Sequence, residues 1–580
     1  MTVTEKIGRA GTEPIVEPAS RRRPWWGHLV AAGVPTAMVA VHAARYGQWI
    51  EDDAGITFAF ARSLANGAGP VLQPGADPVE AFSNPAWLAI LVAGRLLHLF
   101  DSGTWFGVPD LVLFPKVVAL ALCFGTFSCC YTVARAVSRH PVRVTVAAGA
   151  VTACVPAFVI WTVSGLENSL TTLAVVALAA MLARAAVAGR LLDPRTAIGC
   201  GALAGLAALT RPDGLVYAAA YPLAALLLVG KDSARQTVAS IAVSVLTVSV
   251  PVGGYLAWRV ATFGDYLPNT ARAKEQGIPT LSDLDKPAAL VGYVGWLACM
   301  FTVGVVAVAL HRRSPTRTGV AMLLIPLGLA VLAYAVLATD WMAQYRFTTP
   351  VWPLASLVLA LSAAQVLRGA ATRTRIVAVV TSGLVGGLTL VGWYGQSETF
   401  RRAPTVSACY IARNTGYTFN TYADLLGIDQ GSLLAVDGGG TSLTSRLRFV
   451  DLSGLADARI ARYWHTNDMV GLRDHVFEQV RPTFIRIWSG WDGVARSGIL
   501  ADPRLGRDYV LVWGPPGGGG NWVRRDAVPS AGSLDELRRL APELAAMVDA
   551  PYDRIATHWW CPATLRPSVP GASPALDLPR

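Results

Sequence analysis

The chain has 580 residues, of which 53% are hydrophobic and 15% charged, with a formal net charge of +11 and a mean hydropathy of +0.43. Soluble domains carry about 25% charged residues; here the apolar residues come in blocks such as LVAAGVPTAMVAVHAA and TLAVVALAAMLARAAVA, on the scale of the ~20 residues needed to cross a bilayer core of ~30 Å. That composition excludes a disordered chain, a fibrous repeat and a secreted disulfide scaffold, and predicts a polytopic membrane protein.

Residues 1–24 read as a disordered N-terminus. Spans are predicted at 25–44, 110–134, 143–163, 168–188, 196–210, 214–229, 237–260, 289–310, 319–338, 350–367 and 376–395, about 11 crossings in a membrane module covering 25–395. The connectors alternate. One set is basic, with Arg21–Arg23, Arg135, Arg139, Arg143, Arg184, Arg190, Arg195, Lys231, Arg235, Arg312, Arg313, Arg317, Arg368, Arg373 and Arg375. The other holds SGLEN (164–168), TRPDG (210–214), DYLPNTARAK (265–274) and TDWMAQYR (339–346). Lysine and arginine gather on the cytoplasmic side, which predicts a cytoplasmic N-terminus and a C-terminal region outside. Parity then forbids a full crossing by the apolar stretch 84–100, so a re-entrant or interface-lying helix is expected there.

Beyond the last span the pattern becomes globular. Strand-like runs at 432–437, 483–488 and 509–513 alternate with helical runs at 470–480 and 533–548, a small external α/β domain over 396–561. Residues 562–580 read as a disordered tail. GPPGGGGNW (514–522) lacks the Lys-Ser/Thr of a phosphate loop and reads as a mobile turn. Cys123, Cys129, Cys130, Cys154, Cys200 and Cys299 fall in apolar spans without metal-ligand spacing. Cys409 and Cys561 are the only thiols past the last span, and a disulfide between them is expected in an oxidising compartment.

Chemistry concentrates where carboxylates are scarce. The loop 47–83 after the first span contains Asp52 and Asp53 at the start of an amphipathic helical segment. The two residues read as helix N-caps or as a paired carboxylate in which one charge raises its neighbour's pKa, suited to a general base; both readings stand. Glu80, Asn84, Glu167, Asp213, Asp340 and Tyr345 recur at the outer helix ends. Arg211, Arg272, Lys274 and Arg346 are nearly the only cations there. They read as snorkelling anchors or, clustered, as a site for a lipid phosphate.

The string IEDDAGITFAFARSLANGAGPVLQPGADPVEAFSNPAW, followed in register by SGLENSL, TRPDG, LPNTARAK, DWMAQYRFTTPVWP and LLAVDGGGTSLTSRLRFVDLSGLADARIAR, resembles polyprenyl-phosphate-dependent glycosyltransferases of the GT-C fold. Within that group the pattern is most similar to actinobacterial arabinofuranosyltransferases that use decaprenyl-phosphate arabinose to finish cell-envelope arabinan. An aromatic pair usual in the fourth motif is Ala271-Arg272 here. The resemblance implies an inverting transfer with Asp53, or its neighbour Asp52, as general base. It implies donor phosphate contacts from Arg346, Lys274, Arg272 and Arg211, and acceptor-sugar contacts from Glu80, Asn84, Glu167, Asp213, Asp340 and Tyr345. The expected partners are a polyprenyl (decaprenyl) phosphate sugar, a glycan acceptor and the bilayer, with no nucleic acid. No ligand set calls for a cofactor, and the resemblance leaves a divalent metal open, as in some relatives. Mannosyl- or aminoarabinose-type transfer is the alternative enzyme reading, and a membrane-anchored carbohydrate-binding protein or a transporter the non-enzyme ones.

Overall fold

Helices follow one another with few interruptions: α1 Trp26–Ala44, α2 Asp52–Ala65, α3 Pro85–Leu96, α4 Asp110–Val137, α5 Pro141–Cys154, α6 Pro156–Thr162, α7 Asn168–Val187 and α8 Pro194–Thr210. A tight helical turn, Pro212–Ala219, leads into α9 Ala220–Leu227, then come α10 Ala234–Phe263, α11 Asn269–Ala273, α12 Asp285–Val294, α13 Trp296–His311, α14 Pro315–Val336, α15 Val351–Val366 and α16 Thr372–Arg402. The computed structural model describes residues 25–228, 233–274, 280–338, 340–488, 491–514, 518–549 and 561–572. The ends read as disordered, 1–24 and 573–580, and part of the turn at 514–522 lie outside the described residues.

Helices α1, α4, α7, α10, α14 and α16 are each long and apolar enough to cross a membrane. Two spans expected to be single helices are broken instead. The 143–163 span bends by 82° between α5 and α6, because Pro156 supplies no N–H and holds Val155 extended at φ −77°, ψ 111°. The 289–310 span bends by 92° between α12 and α13 at Gly295, whose φ of +89° suits a residue without Cβ. With each bent pair taken as one span the long helices number up to eight, and α8, α9 with its preceding turn, and α15 fill the other positions read from sequence. Helix α3, in the stretch expected to be re-entrant, has 12 residues, ~18 Å against a core of ~30 Å. A short hairpin, β1 Thr104–Trp105 with β2 Val108–Pro109, follows it.

The C-terminal domain is a five-stranded sheet with β3 Ser432–Ala435, β4 Arg448–Asp451, β5 Phe484–Ile487, β6 Tyr509–Trp513 and β7 Gly520–Arg524 in the order β4-β3-β5-β7-β6. Strand β3 runs parallel to β4 and β5, while β7 is antiparallel to β5 and β6. The helical run 408–425 consists of α17 Ala408–Ile411, a widened turn and α18 Thr418–Leu425, and α19 Gly439–Thr444 follows β3. The helix expected at 470–480 is Met469–Asp474 extended by a widened turn to Val480, and the last one is Ala531–Asp549.

Strand alternation joins this domain to the membrane module. Leu433 faces a core shared with Trp49, Phe58 and Trp161, while Leu434 faces a separate core with Ile460, Trp464 and Ile485. Burying an aromatic such as Phe58 contributes roughly 1.5–3 kcal/mol. Cys409 and Cys561 are disulfide-bonded, with Cα atoms 5.2 Å apart. The start of the tail, expected to be disordered from 562, is instead seated. Leu565 is buried, its carbonyl accepts from Arg62, and the carbonyl of Thr564 accepts from the Tyr417 hydroxyl. Apolar burial and these bonds hold 562–572 against α2 and the 412–417 turn.

Candidate active site

Backbone hydrogen bonds fix the acidic run at the head of α2. The Glu51 N–H donates to the Ser164 carbonyl at 3.0 Å and the Asp52 N–H to Val406 at 3.1 Å, while Ala408 N–H returns to Ile50 at 3.0 Å. The Trp49 indole donates to the Thr405 carbonyl at 2.8 Å. These bonds tie both the α6–α7 turn and the connection after α16 to residues 50–52.

The N-cap reading of the Asp pair is not realised. Glu51 occupies the cap position with no side-chain bond to the helix. Asp52 turns away and accepts the N–H groups of Gly439 at 3.1 Å and Gly440 at 2.8 Å. The glycines of DGGGT permit this approach. A Cβ on Gly439 would overlap the Asp52 carbonyl oxygen, and one on Gly55 would stand 2.7 Å from the Gly439 carbonyl carbon. A one-turn crossing of α2 and α19 at backbone contact thus docks the sheet domain on the first loop.

Three consecutive acids therefore sit in three environments. Glu51 is fully buried, and burial reinforced by Asp53 and Asp52 raises its pKa well above the usual range, against the weaker opposing pull of Arg346 and of the Asp53 backbone. Burial and the nearby Asp437 push Asp52 up to about 8, against the two N–H donors that favour its charged form. Asp53 is different. Its side chain is 23% exposed and its carboxylate lies 3.9 Å from the Lys274 ammonium, with no hydrogen-bond partner among the described residues. It is the acid of the three that a substrate can reach.

The remaining sequence-derived site residues are mostly paired with one another. Glu167 accepts from Asn84 at 2.8 Å and from Arg211 at 2.8 Å, and Arg211 also holds Asp213 at 2.9 Å. Arg346 forms an ion pair with Asp340 at 2.8 Å. Arg211 and Arg346 both lie on the Phe347 ring, 4.3 and 4.5 Å from its centroid, so these two cations do come together. Arg272 does not join them, because Asp265 holds it. Glu80 is closed off by the Tyr255 hydroxyl at 2.6 Å and by Arg259 at 2.5 and 3.0 Å. The Tyr345 ring packs on Tyr293, with centroids 4.8 Å apart. Gln344 and Tyr345 have φ of +65° and +53°, a left-handed pair that non-glycine residues adopt at a cost, and it sets Arg346 facing Phe347.

Arg259, Tyr255, Phe347 and Asp437 were not read from the sequence. Arg259 carried a signal, as a charge within an otherwise apolar span. Asp437 had only its place before three glycines. Among the described residues no group of three or more His, Cys, Asp or Glu side chains is arranged to hold a metal ion, and Asp52 is committed to Gly439 and Gly440.

No family model matches the chain, and no curated protein does. Solved structures do. The chain is similar to ArnT from Cupriavidus metallidurans, determined bound to undecaprenyl phosphate, at 14% identity with a TM-score of 0.52, over 87% of this chain and 98% of that one. It is also similar to the Archaeoglobus fulgidus oligosaccharyltransferase tethered to an acceptor peptide, at 11% identity and a TM-score of 0.48, over 88% and 75% of the two chains. The fold is that of a multi-pass GT-C-like membrane protein with a C-terminal α/β domain.

Proposed function

We propose that this chain is a membrane glycosyltransferase moving a sugar, arabinofuranose, from polyprenyl (decaprenyl) phosphate to a cell-envelope glycan on the outer membrane face, with inversion. The N-terminus is then cytoplasmic and the sheet domain external. The observation that carries the reading is Asp53, the carboxylate of the Glu51–Asp53 run that is accessible, unbonded and next to a cation. The fold shared with ArnT, a protein seen with undecaprenyl phosphate, supports it, and the motif resemblance supports the choice of pentose.

In this mechanism Asp53 takes the proton from an acceptor hydroxyl as that oxygen bonds to the donor's anomeric carbon. The bond from that carbon to the phosphate oxygen breaks, and prenyl phosphate departs with the electron pair. A positioned base contributes ~10²–10⁴-fold. Lys274, half-exposed on a flexible stem, meets the leaving phosphate together with Arg346 and Arg211, which both lie against Phe347. Glu167, Asp213 and Asp340 serve by holding Arg211 and Arg346 in place, Asn84 by orienting Glu167, and Glu80 by fixing Tyr255 and Arg259.

Purified protein is given synthetic prenyl-phosphate arabinofuranose, mannose or aminoarabinose with an oligosaccharide acceptor, and the product is read by NMR. Transfer of the pentose with inversion is expected. Transfer of mannose or aminoarabinose alone would reassign the donor, and no transfer from any donor would overturn the reading.

A further inference from the structure

The carboxyl edge of the sheet faces the head of α2. Strand β3 ends at Ala435 and leads to Asp437, which lies within electrostatic reach of both Asp53 and Arg486. Strand β5 is parallel to β3 and ends at Ile487, placing Trp488 next along the edge. Because β7 is antiparallel to both β5 and β6, β6 points the same way and brings its last residue, Trp513, to that edge. The two indoles meet with centroids 5.2 Å apart at 53°, and the Arg486 guanidinium lies 5.4 Å from the Trp488 ring.

Open α/β sheets bind ligands beyond the carboxyl ends of their strands, where chain connections leave in opposite directions. Here β3 has β4 on one side and β5 on the other. Asp437, Trp488 and Trp513 are half-buried, presenting part of each side chain to solvent. The Trp488 indole N–H is itself covered and has no acceptor among the described residues. A carboxylate and two angled indoles match a sugar chain: hydroxyls donate to the acid, and C–H faces pack on the aromatic rings.

We propose that Asp437, Trp488 and Trp513 form the acceptor subsite, which holds the sugar units of an oligosaccharide behind the hydroxyl presented to Asp53. From β3 to β6 is three strand spacings, ~14 Å, the reach of roughly two or three linked rings. The proposal rests on the glycosyltransferase reading for its choice of ligand, and its test is separable from that reading.

Binding is measured without donor, by saturation-transfer NMR and titration calorimetry, using a synthetic arabinofuranose tetrasaccharide and a mannose tetrasaccharide. The full-length Asp53→Asn protein is compared with Asp53→Asn carrying Trp488→Leu/Trp513→Leu or Asp437→Asn. Each added change is expected to weaken tetrasaccharide affinity at least tenfold while leaving prenyl-phosphate affinity unchanged. The unaltered prenyl-phosphate affinity reports that the variants are folded, and Asp437→Asn, nearly isosteric, decides the matter if the tryptophan variant fails to fold. Equal tetrasaccharide affinity in all folded variants would overturn the subsite, even in an enzyme that transfers sugar. Tryptophan-dependent binding in a protein that transfers nothing would uphold the subsite and overturn the reaction.

Discussion

Charged residues at the head of the membrane module fall into two populations. In one, around Glu80–Arg259 and Glu167–Arg211–Asp213, each carboxylate is matched by a cation at 2.5–2.9 Å. In the other, Glu51–Asp53, no acid has a close cation: Asp53 has Lys274 at 3.9 Å, Asp52 has two backbone N–H groups, and Glu51 is buried, its charge opposed by burial and favoured only through space by Arg346 and by the Asp53 backbone. Most of these residues stand out in the sequence, Arg259 and Glu51 excepted, but only the second population leaves a group free to exchange a proton. Matched pairs in a low-dielectric boundary build a frame; unmatched acids beside that frame retain reactivity.

The contrast breaks most sharply at Asp53. Asp53→Asn should cut transfer ~10²–10⁴-fold and leave thermal unfolding in detergent unchanged, whereas Asp52→Asn keeps one of two accepted N–H bonds and should lower stability. Equal turnover for Asp53→Asn and wild type would move the chemistry out of the acidic run. In the matched population, Arg211→Met strands Glu167 and Asp213 in a buried setting, and should destabilise by about 3–5 kcal/mol. A Tm unchanged by that substitution would make the frame decorative.

Smaller effects sharpen the boundary between the two. Gly439→Ala forces a methyl group into the Asp52 carbonyl and should destabilise by roughly 1–3 kcal/mol, with protease nicking of the sheet domain as the readout. The last effect is graded with pH. Glu51 keeps its proton in the folded state after the unfolded chain has lost it at an ordinary carboxyl pKa, so rising pH penalises folding by at most ~1.4 kcal/mol per unit across that window. Glu51→Gln, always neutral, should flatten the slope seen in unfolding midpoints between mildly acidic and mildly alkaline buffer. A slope unchanged in the variant would place that proton elsewhere.

Hydropathy located the apolar helices because apolar length is a local property, and the strands β3, β5 and β6 were visible as compact apolar runs. Strands β4 and β7 were missed because Arg448 and the glycine run before Asn521 obscure short segments that tertiary packing completes. The breaks at Val155–Pro156 and Gly295 did carry local signals, a proline and a glycine within apolar runs, outweighed by hydropathy averaged over a window. At the site, the Asp pair was legible but its division of labour was not. Which aspartate is tethered depends on Gly439 and Gly440, almost 390 residues away. Ion pairing was likewise invisible, since Arg272 joins Asp265 rather than the other cations only once α11 has been placed.

The backbone N–H of Cys561 donates to the Gln48 side chain at 2.9 Å across a sequence separation of 513 residues, and Cys561 is in turn bonded to Cys409. Gln48 lies in the loop that bears Asp53, so a segment synthesised early waits for one synthesised late before its surroundings are complete. During translation the membrane helices can insert one by one while this end of the molecule stays unfinished. Completion of the surroundings of the acidic run is thereby coupled to a distant segment: a chain cut short before Cys561 loses both the disulfide and the bond to Gln48.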